Sequence, residues 1–385
     1  MRKPLFFLFI IMLTNHLYGQ VYPTFGPEKQ VTISGLTFDA MEPFITNNDS
    51  VLYFNSLNAG GNTNLYYATK INDTTFLYKG LVDGCYDITP GHLDAVASED
   101  INGHFYWVSL RNYPIEFENL HTGLNIDASI TNISRVYGDI NIYTIGWIIM
   151  DAAITPSGDQ IIYCNAYFDL ETESCGPGIP CFAQMGIATK ENDSTFNKLD
   201  NSDLLLNNVN DTAYLIYAPQ LSENGLELYF TRLLKGHYET EICVSVRNAV
   251  DESFSTPYVI HTNGLMVPEG PSISNNYNKL YYHQKGADGL FHIYMRNRMP
   301  LLSIISSPLN NNFLITPNPA QQVIQIQNRS TETIESVLIY SISGQLILNQ
   351  AYKTYYDISN FQNGIYQMVL KTNSNIYPFV FCIQH

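Results

Sequence analysis

Three segments of this chain superimpose residue for residue without a gap, and that repetition limits the fold more than any other feature. They are PFITNNDSVLYF from Pro43, PQLSENGLELYF from Pro219 and PSISNNYNKLYY from Pro271. AAITPSGDQIIY from Ala152 fits the same frame with Ala in place of Pro, and AVASEDINGHFYW from Ala95 fits with one inserted residue. Each reads as a short apolar strand, a polar turn and a second apolar strand ending in aromatics, the pattern of a hairpin. A third strand follows in NLYYATK, MGIATK, EICVSVR and HIYMRN, which end at Lys70, Lys190, Arg247 and Asn297. FLYKGLV from Phe76, FNKLDNSDLLL from Phe196 and FSTPYVI from Phe254 supply a fourth, outer strand. Four antiparallel strands per unit of about fifty residues is the spacing of a propeller blade.

Composition agrees with an all-β chain. Tyr and Phe number 28 and 20, while only 14% of the 385 residues are charged. Aromatic and β-branched residues suit a half-buried pleated surface, and Asn, Gly and Asp suit its turns. The net charge of −16, with 19 scattered Lys and Arg, argues against nucleic acid, which needs clustered cations.

The N-terminus reads as a secretory signal over residues 1–20. Arg2 and Lys3 form its positive region, Leu5 to Leu13 its apolar stretch, and Leu17-Tyr18-Gly19-Gln20 its cleavage region. The apolar run is too short to anchor stably in a bilayer, and no other segment could cross one. Six cysteines in an exported chain permit disulfides. Cys175 and Cys181 flank Gly176-Pro177-Gly178-Ile179-Pro180, a stretch that must turn, so a local bridge is expected there. Cys164 and Cys243 fall in strand positions that other repeats fill with large apolar residues, and read as small core residues.

From residue 21 to residue 305 the repeats resemble the TolB-like, WD-repeat-like propeller family, which implies a β-propeller and little about function. Five repeats favour five blades; six would follow if Asn112 to Trp147 hid a degenerate unit. FGPEKQV from Phe25 resembles the outer-strand segment FSTPYVI yet precedes the first repeat, so it could complete the last blade and close the ring. Residues 306–312 read as a polar linker. Residues 313–385 resemble the Bacteroidota type IX secretion C-terminal sorting domain, type A. That resemblance rests on LITPNPA with Pro317, Asn318 and Pro319, VLIYSISGQLI with Gly344, YDIS with Asp357, and NGIYQMVLKT with Gly364 and Tyr366. It implies a small Ig-like β-sandwich that engages the type IX machinery and a secreted or cell-surface protein. The chain departs from the family in ending FVFCIQH, where a basic strand is common.

No nucleophile elbow, phosphate loop or metal-ligand motif is present, and neither metal nor cofactor is expected. The catalytic candidates are carboxylates near the start of each inner strand: Glu42, Asp94, Asp151 and Glu269. Inner strands line a propeller's channel, so these could converge at one mouth, and paired carboxylates are the machinery of glycoside hydrolysis. Glu42, Asp94 and Asp151 share one repeat position and Glu269 is one residue out of register, a recurrence that equally fits a role in satisfying backbone donors. Asp49-Ser50-Val51, Asp73-Thr74-Thr75, Asp193-Ser194-Thr195 and Asp211-Thr212-Ala213 resemble O-glycosylation sites of Bacteroidota and also read as surface turns. The leading functional expectation is a propeller that binds a protein or glycan through its face loops. A polysaccharide-acting glycoside hydrolase is the alternative, and a structural envelope protein the third.

Overall fold

The computed structural model describes residues 22–58, 61–87, 89–274, 276–299, 312–341, 346–373 and 375–384. The expected signal peptide, residues 306–311 of the expected linker and Gly344 lie outside the described residues.

The repeats form five sheets. After β1 (Phe25–Gln30) and β2 (Thr32–Ser34), the first blade holds β3 (Met41–Ile45), β4 (Val51–Asn55), β5 (Leu65–Asn72) and β6 (Thr75–Leu81), with β2 added parallel to β6. The second holds β7 (Asp94–Glu99), β8 (His104–Ser109), β9 (Leu120–Ile126) and β10 (Ser129–Arg135). The third holds β11 (Trp147–Ile154), β12 (Gln160–Tyr167), β13 (Phe182–Asn192) and β14 (Thr195–Lys198), followed by the single turn α1 (Ser202–Leu205). The fourth holds β15 (Tyr214–Leu221), β16 (Glu227–Leu234), β17 (Thr240–Val246) and β18 (Tyr258–Thr262). The fifth holds β19 (Glu269–Ile273), β20 (Lys279–Lys285) and β21 (Phe291–Arg298), and β1 pairs with β21 as its outer strand.

The propeller therefore has five blades. The stretch from Asn112 to Trp147 supplies β9 and β10 of the second blade and hides no sixth. Ring closure by β1 is fixed by Arg296, whose guanidinium donates to the carbonyls of Gly26 (2.7 Å) and Phe25 (3.1 Å) on β1 and of Ile260 (2.9 Å) on β18.

One hydroxyl explains the repeated turn. Thr46, Thr155, Ser222 and Ser274 end the inner strand, and each side-chain oxygen accepts the N–H that opens the next strand, from Val51, Gln160, Glu227 and Lys279 at 2.9–3.2 Å. In the second blade Asp100 takes this place and accepts from Asn102 (2.8 Å) and His104 (2.9 Å) in a turn one residue shorter. That shorter turn corrects the sequence frame. Ser98 pairs with Tyr106 as Phe44 pairs with Tyr53, so Val96, and not Asp94, stands where Glu42 stands in the first blade.

Each sheet buries both faces against its neighbours. Phe44, Tyr53 and Leu65 meet Phe105 and Trp107 between the first two blades. Tyr106 and Val108 meet Ile161 and Tyr163 at the next junction. Cys164 and Met185 meet Phe230 and Cys243 between the third and fourth blades. Tyr229 and Val244 meet Leu280 and Tyr282, and Phe54 meets Tyr281 and Met295 to close the circle. Burial of each such side chain contributes about 1.5–3 kcal/mol before the entropic cost of ordering. Cys164 and Cys243 are buried thiols in this core.

The tail is a β-sandwich. Its two sheets are β22 (Phe313–Thr316), β23 (Val323–Asn328) and β26 (Tyr355–Asp357) on one side, and β25 (Leu346–Ala351), β24 (Ile334–Ser341), β27 (Gly364–Thr372) and β28 (Ile376–Ile383) on the other. They enclose their own core of Phe313, Ile324, Ile326, Val337, Ile339, Met368, Leu370 and Phe381. Asn318 accepts the Cys382 N–H through its side-chain oxygen (2.8 Å) and donates toward the Val380 carbonyl (3.4 Å), so its amide extends the β28 ladder. Asp357 accepts from the Ser359 N–H (2.9 Å) and hydroxyl (2.6 Å), holding the turn after β26. The Tyr366 hydroxyl donates to the Gln362 carbonyl at 2.9 Å.

Candidate functional site

The five inner strands β3, β7, β11, β15 and β19 neighbour one another around the axis. Four of them carry a residue in the left-handed region: Glu42 (φ 50°), Val96 (φ 57°), Ala218 (φ 49°) and Gly270 (φ 64°). Such a bulge turns one N–H out of the strand ladder, and each is met by a side chain of the preceding blade. Asn55 accepts from Val96 (3.4 Å), Thr231 from Gly270 (3.1 Å), and His283 Nδ1 from Glu42 (2.9 Å). Ala218 is met by the Asp151 carboxylate. Gly270 needs to be glycine, because a Cβ there would lie 3.2 Å from both the Glu42 Cα and His283 Nδ1.

These bulges and a register shift beside Asp151 bring three of the four sequence candidates together. Glu42, Asp151 and Glu269 line one cavity of about 370 Å³ at the mouth of the channel, with Tyr217 beside them. Further along the inner strands Pro43, Ala97, Ala152, Pro219 and Pro271 line a second space of only about 40 Å³, and the funnel at the mouth is the larger of the two. Its walls are apolar: Leu93 and Val108 from the second blade, Ile148 and Met150 from the third, Leu215 and Leu233 from the fourth. Phe168, Gly178, Ile179 and Pro180 complete the rim.

That rim belongs to a braced loop. Cys175 and Cys181 are joined by a disulfide with their Cα atoms 5.3 Å apart. At the base of the loop Asp169 accepts from the Thr172 hydroxyl, the Ser174 hydroxyl (2.7 Å) and the Thr172 N–H (3.1 Å), and these bonds hold its carboxyl well below the usual range.

Asp94 does not join the group, which corrects the expectation that all four carboxylates converge. It is fully buried within the second blade, where it accepts from Arg111 Nε at 2.9 Å and from Trp107 Nε1 at 3.3 Å. Burial pushes its carboxyl up, and the guanidinium pulls it back.

The other three have no such cation. Among the described residues no Lys or Arg pairs with Glu42, Asp151 or Glu269. Burial is the first cause that pushes Glu42 up to about 8, followed by the charges of Asp151 and Glu269. Burial likewise pushes Asp151 up to about 7, against the stabilising N–H of Ala218. Asn58 donates to Glu42 Oε1 at 3.1 Å, while Glu42 Oε2 and Asp151 Oδ2 are buried without a hydrogen-bond partner. Tyr217 donates its hydroxyl to Glu269, and burial and that carboxylate raise the phenol's pKa. His283 Nε2 lies 3.6 Å from Glu269 Oε2. A pair of carboxyls that hold protons near neutrality can donate and accept them, or can take up a cation.

Tyr217 was not singled out by sequence reasoning, and His283 stood out only with His292 as the closest histidine pair, with a surface or partly buried structural role expected for both. Tyr217 occupies the repeat position of Glu269, as the matching register shifts of their strands show. His283 occupies the position after the aromatic pair that Asn55 and Thr231 fill in other blades. His292, the other member of the closest histidine pair in the sequence, sits near the surface against Asp288 (2.9 Å).

Comparisons with known proteins bear on the two ends of the chain differently. Residues 314–380 match the family described as the secretion system C-terminal sorting domain. A comparison with curated proteins gives no match. Among solved structures, the chain is similar to a family 117 glycoside hydrolase of the marine bacterium Zobellia galactanivorans, at 9% identity and a TM-score of 0.43 over 72% of this chain and 90% of that one. It is similar to an endo-arabinase of Bacteroides thetaiotaomicron, at 10% identity and 0.42 over 70% and 96%. The catalytic domain of a GH62 α-L-arabinofuranosidase from Coprinopsis cinerea gives 12% and 0.42 over 72% and 96%. The sorting domain puts the protein on the type IX secretion route, to the cell surface or the extracellular space.

Proposed function

We propose that the protein is a secreted or cell-surface binding propeller, of the TolB-like, WD-repeat-like kind, whose ligand enters the funnel beneath the Cys175–Cys181 loop. A single observation carries this reading: a cavity of about 370 Å³ has largely apolar walls and three acidic groups that no Lys or Arg among the described residues pairs. Ligand sites are concave and mostly apolar, with a few convergent polar groups, and this volume lies at the small end of their range. The proposal includes a chain organised as signal peptide 1–20, propeller 21–305, linker 306–312 and sorting domain 313–385. The mature protein then begins at Gln20 or Val21, and an intact mass retaining Met1 would remove the signal peptide.

A second reading, a polysaccharide-acting glycoside hydrolase, draws on the raised carboxyls of Glu42 and Asp151. A glycan array run beside a reducing-end assay separates the two. Saturable binding without hydrolysis leaves the binding protein. Hydrolysis that disappears in Glu42→Gln and Asp151→Asn, with the fold intact, replaces it by the enzyme.

A further inference from the structure

We infer that the funnel takes a primary ammonium group carried on a compact apolar body, with the ammonium among Glu42, Asp151 and Glu269. This rests on the funnel being the binding site.

The argument begins with charge. Three sequestered carboxylates elsewhere meet cations: Asp94 meets Arg111, Glu227 meets Arg298, and Asp49 meets both Lys70 and Lys279. The funnel floor gathers three carboxyls, and the nearest basic group is His283. Its Nδ1 accepts the Glu42 N–H, so that nitrogen carries no proton and the ring brings no positive charge while the bond holds. The titratable groups facing the floor are then Glu42 on β3, Asp151 on β11, Tyr217 on β15, Glu269 on β19 and His283 on β20. Asp151 is 2% exposed, and its Oδ2 has no partner. Within the fold, protonation is what relieves this charge; a cation from outside would relieve it while leaving the carboxylates ionised.

Geometry narrows the kind of cation. An ammonium carries three donors that rotate on one nitrogen, and Glu42, Asp151 and Glu269 offer acceptors to one cavity from three blades. A calcium ion would need six to eight oxygens around one point, and among the described residues no three His, Cys, Asp or Glu side chains are placed to hold a metal ion. The aliphatic walls argue against a polyhydroxylated ring, whose hydroxyls would be buried unpaired against Leu93, Val108, Met150 and Leu215. They accept an alkyl or aryl body of about one residue's size. A free amine and the amino terminus of a peptide with an apolar first residue share this chemistry. On binding, a carboxylic acid at the floor gives its proton to the buffer and the resulting carboxylate pairs with the ammonium. The raised carboxyls of Glu42 and Asp151 make that release measurable at neutral pH.

Titration calorimetry on the mature full chain tests this with 2-phenylethylamine against 2-phenylethanol, its neutral isostere. The tripeptide Phe-Gly-Gly against its N-acetylated form distinguishes a peptide terminus from a free amine. The amine should bind at least about tenfold tighter than the alcohol, and Asp151→Asn and Glu42→Gln should each cost it about tenfold, as loss of a charged hydrogen bond does. Repeating the titration in buffers of different ionisation enthalpy should show proton release. The inference is overturned if the alcohol binds as well as the amine, if the amine binds without sensitivity to either substitution, or if no amine binds. In the last case a saccharide found bound in the funnel leaves the binding reading standing, while an empty glycan screen removes both. The amine–alcohol comparison uses the unaltered protein, so misfolding of a variant cannot rescue the claim.

Discussion

The second and third blades each bury an aspartate on their inner strand, and the molecule treats the two in opposite ways. Asp94 is 0% exposed and meets Arg111 at 2.9 Å; Asp151 is 2% exposed and meets one backbone N–H and an open cavity. A buried charge with a partner is a structural element whose desolvation is largely offset by its mate. A buried carboxyl facing empty space is a standing cost, tolerated where something else stabilises the fold and something outside uses the group. The contrast separates scaffold from site within one ring.

The largest effect that would sharpen this contrast is on the scaffold side. Arg111→Met leaves Asp94 buried without its cation and should lower stability in urea unfolding by about 3 kcal/mol, Arg111 itself being partly exposed. A loss no larger than that of an ordinary surface substitution would mean that Asp94 is no better matched than Asp151, and the contrast would fail.

The site side should respond with the opposite sign. The folded-state pKa values of Glu42 and Asp151, about 8 and about 7, lie above their ordinary 4.5 and 3.8. The folded state therefore holds protons that the unfolded chain releases, and ∂ΔG/∂pH is negative between those values. Their contribution is fully present below about pH 4 and is lost as pH rises through 7 and 8. The double variant Glu42→Gln, Asp151→Asn removes that loss, and at pH 8 it should be more stable than the parent by about 2 kcal/mol. Equal pH slopes for parent and double variant in thermal melts from pH 5 to 8 would show that the two carboxyls are not under strain.

How much of this could be read from the sequence depends on what each residue answers to. The blades were legible because Pro43, Pro219 and Pro271 head identical strand-turn-strand frames, and the closing strand because Phe25-Gly26-Pro27 repeats an outer-strand pattern out of order. Asp94 was misread because its blade has a shorter turn, so a frame anchored before the turn slips against one anchored after it. The segment after Phe196 reads as strand from its leucines, yet pairing stops at Lys198 and Ser202–Leu205 makes a helical turn that tucks Leu205 into the core. Glu42 and Glu269 reach the cavity beside left-handed bulges, and Asp151 reaches it beside a register shift in its own strand. No local propensity writes a left-handed bulge at Glu42 or Val96, because a non-glycine residue holds such a φ only when its surroundings demand it.

A smaller effect belongs to the seam where the ring closes. Lys279 on the fifth blade reaches Asp49 (2.6 Å) and Asp73 (2.7 Å) on the first, and Lys70 shares both carboxylates. These are two of the aspartates in the tripeptides that resemble glycosylation sites, and here they are occupied by lysines. Lys279→Met should cost about 1–2 kcal/mol, since its head group is largely buried but Asp73 is exposed and Lys70 remains. A matching loss in Lys70→Met, with the double variant less than additive, would show a single coupled network.

The smallest expected effect carries the comparison to the tail, where the core is apolar and, among the described residues, no carboxyl side chain is buried. Its core of Phe313, Ile324, Val337, Met368 and Phe381 is separate from the blade clusters, so the tail should melt as a unit of its own. Asn318 is the polar residue that matters most to its architecture. Its amide takes the Cys382 N–H at 2.8 Å and continues the hydrogen bonding of β28, which holds Phe379 to Ile383 of the unusual FVFCIQH ending. Asn318→Ala leaves that N–H to water, because the site is exposed, and should therefore cost about 1 kcal/mol and no more. The loss should appear in the tail's transition alone, followed by amide exchange at Cys382 and Gln384, while the propeller's transition stays in place. A drop in the propeller's stability would mean that the last strand supports the blades, and the scaffold and site contrast drawn within the ring would then have to include the tail.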